Sequence, residues 1–152
     1  MQKIEPNIWV FLAGINGFIA VAASALADHA FEAGMSAAGR ALYMQGADYQ
    51  MSHALALLGV GVLANFCPGR TAGEQESGGS ARWLQYSGSA FALGILLFSG
   101  SLYWLGIHGL GSLGPLNLAT PLGGFSLLTG WVLLTLASWR VIWGKKGDET
   151  GE

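Results

Sequence analysis

Charge is the scarcest commodity in this 152-residue chain. Asp, Glu, Lys and Arg make up 11% of it, against about 25% in soluble domains, while hydrophobic residues reach 52%. The formal net charge of −2 leaves no concentrated basic face, which excludes nucleic acid as a partner. Cysteine is nearly absent too: Cys67 stands alone, so no internal disulfide can form. A lone Cys at the end of an apolar run reads as filler, with a reactive or lipidated thiol as the minor alternative. The spacings that carry chemistry are also missing. No His-x-x-x-His pair occurs, and no aligned base and carboxylate accompany a serine, so no metal, cofactor or catalytic residue is expected.

What the chain does have is four long apolar stretches, about 8–27, 48–66, 83–106 and 121–143. Each is close to the roughly 20 residues that a helix needs to cross a hydrocarbon core. No Lys, Arg or Glu lies well inside any of them, and Asp28 and Asp48 sit at their edges. Six Trp and 24 Gly fit a membrane chain, because Trp gathers at interfaces and Gly is enriched in spanning helices. The first stretch exceeds the roughly 7–15 residues of a signal-peptide core, and its flank carries one Lys against one Glu, so it reads as a retained helix. The expected architecture is all-α: an integral membrane four-helix bundle, with residues 1–152 as one domain.

Basic residues set the orientation. Four spans put both termini and the middle loop on one side, which holds Lys3, Arg70, Arg82, Arg140, Lys145 and Lys146; the other side holds only Arg40. By the positive-inside rule both termini face the cytoplasm of a bacterial inner membrane. Residues 67–82 are rich in Gly, Ser and Glu and read as a flexible cytoplasmic linker, with Pro68 ending the second helix. In the first outer loop, the segment from Ser36 to Tyr43 predicts a short interfacial helix capped by Ser36 and leading into the second span near Gly46. The second outer loop, His108 to Ala119, is uncharged and Gly-rich and is expected to fold back onto the bundle.

In lipid, helices associate through close packing and interhelical hydrogen bonds. Gly17, Ala20, Ser24 and Ala27 share one face of the first span, and Gly123, Ser126 and Gly130 repeat the device in the fourth. Gly100 lies between Ser99 and Ser101 in the third. Asn16 sits mid-membrane and must find a partner, because an unpaired amide in hydrocarbon costs several kcal/mol.

One polar constellation stands out. His29, His53 and His108 all fall towards outer ends of spans, and Gln45, Tyr49 and His53 recur every four residues along the second helix. With Asp28, Ser99 and Tyr103 they form a candidate outer-leaflet polar cluster, in which His29 and His53 are expected to reach one bridging group. Three readings compete: a hydrogen-bond network that anchors helix ends, a metal or haem held by His with Met or carboxylate, and a site for a lipid, quinone or small polar solute. The anchoring network is preferred.

Four strings carry a family resemblance: Ala23–Phe31 (ASALADHAF), Tyr49–Leu58 (YQMSHALALL), Leu97–Tyr103 (LFSGSLY) and Thr120–Trp131 (TPLGGFSLLTGW). Through them the chain resembles the small membrane proteins grouped as domain of unknown function 423, relatives of the eukaryotic transmembrane protein 256. The first string departs from the family's usual Gly-Ala-His-Ala pattern, with Ala27-Asp28-His29-Ala30 in its place. The resemblance implies a four-helix membrane protein and supplies no activity to inherit. The expected role is therefore non-enzymatic, as an accessory or assembly component of a membrane complex. The alternative is binding or transport of a lipid, quinone or small solute by a homo-oligomer. The bilayer is the one partner the sequence demands; a membrane-protein partner or a second copy would complete it.

Overall fold

A computed structural model describes residues 7–29, 34–66 and 78–144, with the side chains of 29, 66, 78–79 and 140–144 left aside. Four α-helices follow one another: α1 (Ile8–His29), α2 (Ala37–Phe66), α3 (Gly78–His108) and α4 (Ala119–Gly144), with a 3-10 turn at Gly114–Leu116 before the last. There is no strand among the described residues. Three stretches, Ile8–Asp28, Ser80–His108 and Gly114–Trp139, are long and apolar enough to cross a membrane. The 67–82 linker expected from composition is shorter at its end, since α3 already begins at Gly78; residues 67–77 lie outside the described ones, as do Lys3, Lys145 and Lys146.

Local chemistry sets the helix ends. Asn7 caps α1 by accepting the Trp9 N–H at 2.9 Å, and its own amide donates to the Gly61 carbonyl of α2 at 3.1 Å. Ser36 caps α2 by accepting from the Gly39 N–H at 3.0 Å. The helix it starts does not stop near Gly46, however: the short helix expected in the outer loop is the opening of α2, which runs on unbroken to Phe66. At the same end of the bundle as Ser36, Gly109 takes φ +90°, and its N–H bonds the Leu105 carbonyl at 2.9 Å, a left-handed close that stops α3. The following loop folds back over α3, where Ser112, Leu113 and Leu116 face Leu96, Leu97, Gly100 and Trp104 across a cavity of about 300 Å³.

The helices run up and down, α1 beside α2, α2 beside α3, α3 beside α4. Asn7 meets Gly61, Asn16 meets Gln50 and Asp28 meets Arg40, so α1 and α2 are antiparallel. The contact between α1 and α2 reaches beyond the apolar run of α2. The apolar run alone suggested 48–66, yet α1 lies against the part of α2 between Arg40 and Gly61. Polar side chains early in α2 had pushed its apparent start inward. Two of them, Arg40 and Gln50, bond to neighbouring helices.

Along α1, Trp9, Ala13, Ala20, Ala23 and Ala27 are buried with Asn16 between them, a seven-residue alternation of four and three. Gly17 is one position off that seam, and a Cβ placed on it would meet nothing within 4 Å. The expectation that Gly17 packs against a helix is thus corrected, whereas its neighbours Ala20 and Ala27 do pack. Gly100 likewise faces open space, and Ser24 is half-buried. The tightest interface is α3 against α4. There Gly123 lies on the backbone of Phe98, Gly130 on the ring of Phe91, and Gly94 against Leu127. Hydroxyls stitch the same seam: Ser87 donates to the Gly130 carbonyl and Ser126 to the Ala90 carbonyl, both at 2.8 Å, and Ser101 meets Thr120 at 2.7 Å.

Candidate functional site

Two apolar clusters fill the bundle. One gathers Trp9, Leu57, Val60, Leu84, Phe91 and Leu127; the other gathers Ala23, Ala27, Tyr43 and Ala47 with Met35, Met44 and Tyr103 against them. Between them runs a polar chain. Tyr103 of α3 donates its hydroxyl to Gln50 Oε1 at 2.6 Å; Gln50 Nε2 donates to Asn16 Oδ1 at 2.9 Å; Asn16 Nδ2 donates to the Leu12 carbonyl at 2.9 Å. The direction of the whole chain follows from its last link, because a backbone carbonyl can only accept. Three helices are joined by two amides and a phenol.

Beside this chain lies a groove of about 410 Å³ between α1 and α3, floored by Gln50 of α2. Its walls are apolar, from Leu12, Ile19, Ile95 and Leu96, and its polar lining is Asn16, Gln50, Ser99 and Tyr103. Ser99 is buried, and its hydroxyl is the one buried side-chain polar atom among the described residues with no hydrogen-bond partner. One turn before Leu12, Trp9 bridges α1 to α3: its indole N–H donates to Gln85 Oε1 at 2.9 Å, with the ring lying on Gly88.

His53 belongs to a different contact. Its ring lies among Phe91, Trp131 and Tyr49, with centroids 5.6, 6.0 and 6.0 Å away. The Trp131 indole N–H faces His53 Nε2 at 3.2 Å, and His53 Nδ1 lies 2.8 Å from the Tyr49 carbonyl. Indole can only donate, so Nε2 accepts and Nδ1 carries the proton, which goes to the Tyr49 carbonyl. The imidazole is thereby held neutral in one tautomer, tying α2 to α4.

The outer-leaflet cluster expected from sequence is therefore divided. Tyr103 joins the amide chain and His53 joins Trp131. Asp28 pairs with Arg40 at 2.7 Å on the exposed rim, and His108 stacks on Trp104 at 4.0 Å while its Nδ1 meets the Trp104 carbonyl at 3.1 Å. Gln45 and Tyr49 are exposed, although the Tyr49 ring touches Phe98 at 4.6 Å. The His29 side chain is outside the described ones, so the bridge to His53 is not described; the bonds of His53 itself go to α2 and α4. Among the described residues no three His, Cys, Asp or Glu side chains come together as metal ligands.

Sequence reasoning missed Gln50, Gln85, Asn7 and Trp131. A signal for Gln50 existed: it is seven residues from both Tyr43 and Leu57, on the buried seam. Of the stripe Gln45–Tyr49–His53 that drew attention instead, only His53 is buried.

A family model described as a protein of unknown function, DUF423, matches residues 23–124, which is more than half of the chain. The UPF0382 inner membrane protein YgdD of Escherichia coli (strain K12) is 34% identical over 138 residues, 91% of this chain and 94% of that one. The UPF0382 membrane protein SSP2132 of Staphylococcus saprophyticus is 28% identical over 135 residues, 89% of this chain and 99% of its own length. No solved structure matches. With apolar helices of spanning length and relatives named as membrane proteins along nearly its whole length, the chain belongs to the DUF423 family of membrane proteins.

Proposed function

We propose that this protein is a non-enzymatic component of a membrane complex, with both termini cytoplasmic and α2 as a fourth span that presents its outward face to a partner helix. The observation that carries this reading is on α2. Gln45, Asp48 and Ser52 line its exposed face. Ser52 spends its hydroxyl on the Asp48 carbonyl at 2.8 Å, but neither Gln45 nor the Asp48 carboxylate has a hydrogen-bond partner among the described residues. By the register of α1 on α2, Asp48 stands opposite Ala20, eight residues and so about 12 Å in from Asp28. A carboxylate at that depth is expensive against lipid and is usually met by protein. A partner helix offering amide or cationic donors answers both Asp48 and Gln45. The same polar face is why α2 alone lacks the apolarity of the other three. The orientation rests on the basic residues, and its one exception, Arg40, is paired with Asp28.

The test is purification from native membranes in mild detergent, followed by native mass spectrometry of the wild type and Asp48→Leu. A stoichiometric partner chain, or a second copy, should accompany the wild type and be lost from Asp48→Leu. A monomer in both preparations, equally stable, would sink the reading.

A further inference from the structure

The groove between α1 and α3 has a chemistry of its own, independent of the partner-helix reading. Its polar lining is uncharged, which excludes an ionic ligand from a site between apolar walls. The fixed direction of the amide chain shows which donors it leaves over for a neutral group. Each amide carbonyl in the chain already accepts once, from Tyr103 or from Gln50. Each amide nitrogen has donated only once, to Asn16 or to the Leu12 carbonyl, and keeps a second N–H. The Ser99 hydroxyl adds a third donor without a partner. A hydroxyl in a spanning helix ordinarily bonds back to its own backbone, as the exposed Ser89, Thr129 and Thr135 do in this molecule. Ser99 does not.

We infer that this groove binds the carbonyl of an uncharged, membrane-soluble molecule, received by Ser99 with the spare N–H groups of Asn16 and Gln50. The volume, about 410 Å³, falls in the range of small-molecule sites, roughly 300–1,000 Å³. The apolar walls of Leu12, Ile19, Ile95 and Leu96 suit the body of such a molecule. Two membrane sources carry this chemistry, the ring of a quinone and the ester of a glycerolipid. Gly17 and Gly100 keep the surroundings clear, since a Cβ on either would touch nothing within 4 Å.

The experiment titrates purified full-length protein in micelles with three probes, read by native mass spectrometry: a short-chain benzoquinone, a diacylglycerol, and an alkylbenzene with the same tail as the quinone. At least one carbonyl probe should bind about tenfold tighter than the alkylbenzene, and whichever binds names the source. Gly100→Leu, which adds a side chain on the groove wall at a position where a Cβ meets nothing within 4 Å, should weaken the bound probe while melting like the parent. Ser99→Ala should weaken the carbonyl probe about fivefold, the worth of one hydrogen bond, and leave the alkylbenzene unchanged. Equal binding of alkylbenzene and carbonyl probes, or a Ser99→Ala variant that binds like the parent, overturns the carbonyl assignment. No binding of any probe, or undiminished binding by Gly100→Leu, overturns the groove itself.

Discussion

The two sides of α3 are built on opposite plans. Towards α4 the helix closes to backbone contact: glycines lie against Phe98, Phe91 and Leu127, and serine hydroxyls bond carbonyls across the seam. Towards α1 it stands off, leaving a groove of about 410 Å³ floored by the Tyr103–Gln50–Asn16 chain, with Trp9 and Gln85 bridging the two helices one turn before Leu12. Lipid gives no hydrophobic incentive to close a gap between helices, so close approach must come from small residues in register. The α3–α4 seam has them in register. On the α1–α3 side, Gly17 and Gly100 look into open space and build no contact. A glycine stripe in a membrane helix is thus a contact only when its partner is there to be touched.

That contrast can be broken most forcefully at Gly123. Gly123→Leu drives a side chain into the backbone of Phe98, which cannot swing aside, and should cost about 3 kcal/mol, seen as a large fall in melting temperature in mild detergent. Gln50→Leu comes next. It strips the Tyr103 hydroxyl and the Asn16 carbonyl of their partners at once, and should cost about 1–2 kcal/mol, with faster proteolysis of α1 as a second readout. Trp131→Phe keeps most of the ring packing on His53 and Phe91 but removes the indole donor, for a loss of about 0.6–1 kcal/mol in the same melting assay. Asp28→Asn should be smallest, below about 0.5 kcal/mol, because both partners of that ion pair are substantially exposed.

The fold was legible because its cause is compositional: long apolar runs without charges, broken by Gly, Pro and polar loops, admit little but spanning helices. The Ser36 cap was legible for a local reason, since a hydroxyl three residues before a free N–H needs no tertiary information. Depth and partnership were not. The apolar run starts at about 48, yet the Arg40–Asp28 pair shows α2 in contact with α1 well before it. Gln50 hid among other polar residues, Asp48, Tyr49, Ser52 and His53, and its importance comes from two helices distant in sequence. Gly17 failed for the complementary reason: small size allows contact but does not supply the surface that makes it.

The open groove beside the closed seam is tested most directly within one helix, by melting Gly94→Leu and Gly100→Leu side by side in the same detergent. Gly94 lies against Leu127 of α4, while Gly100 meets nothing within 4 Å. Gly94→Leu should therefore lose about 1–3 kcal/mol through overpacking. Gly100→Leu should melt at or slightly above the parent, since Leu is the better helix former by several tenths of a kcal/mol. Equal losses at both positions would mean that α1 closes on α3 as tightly as α4 does, and would contradict the account.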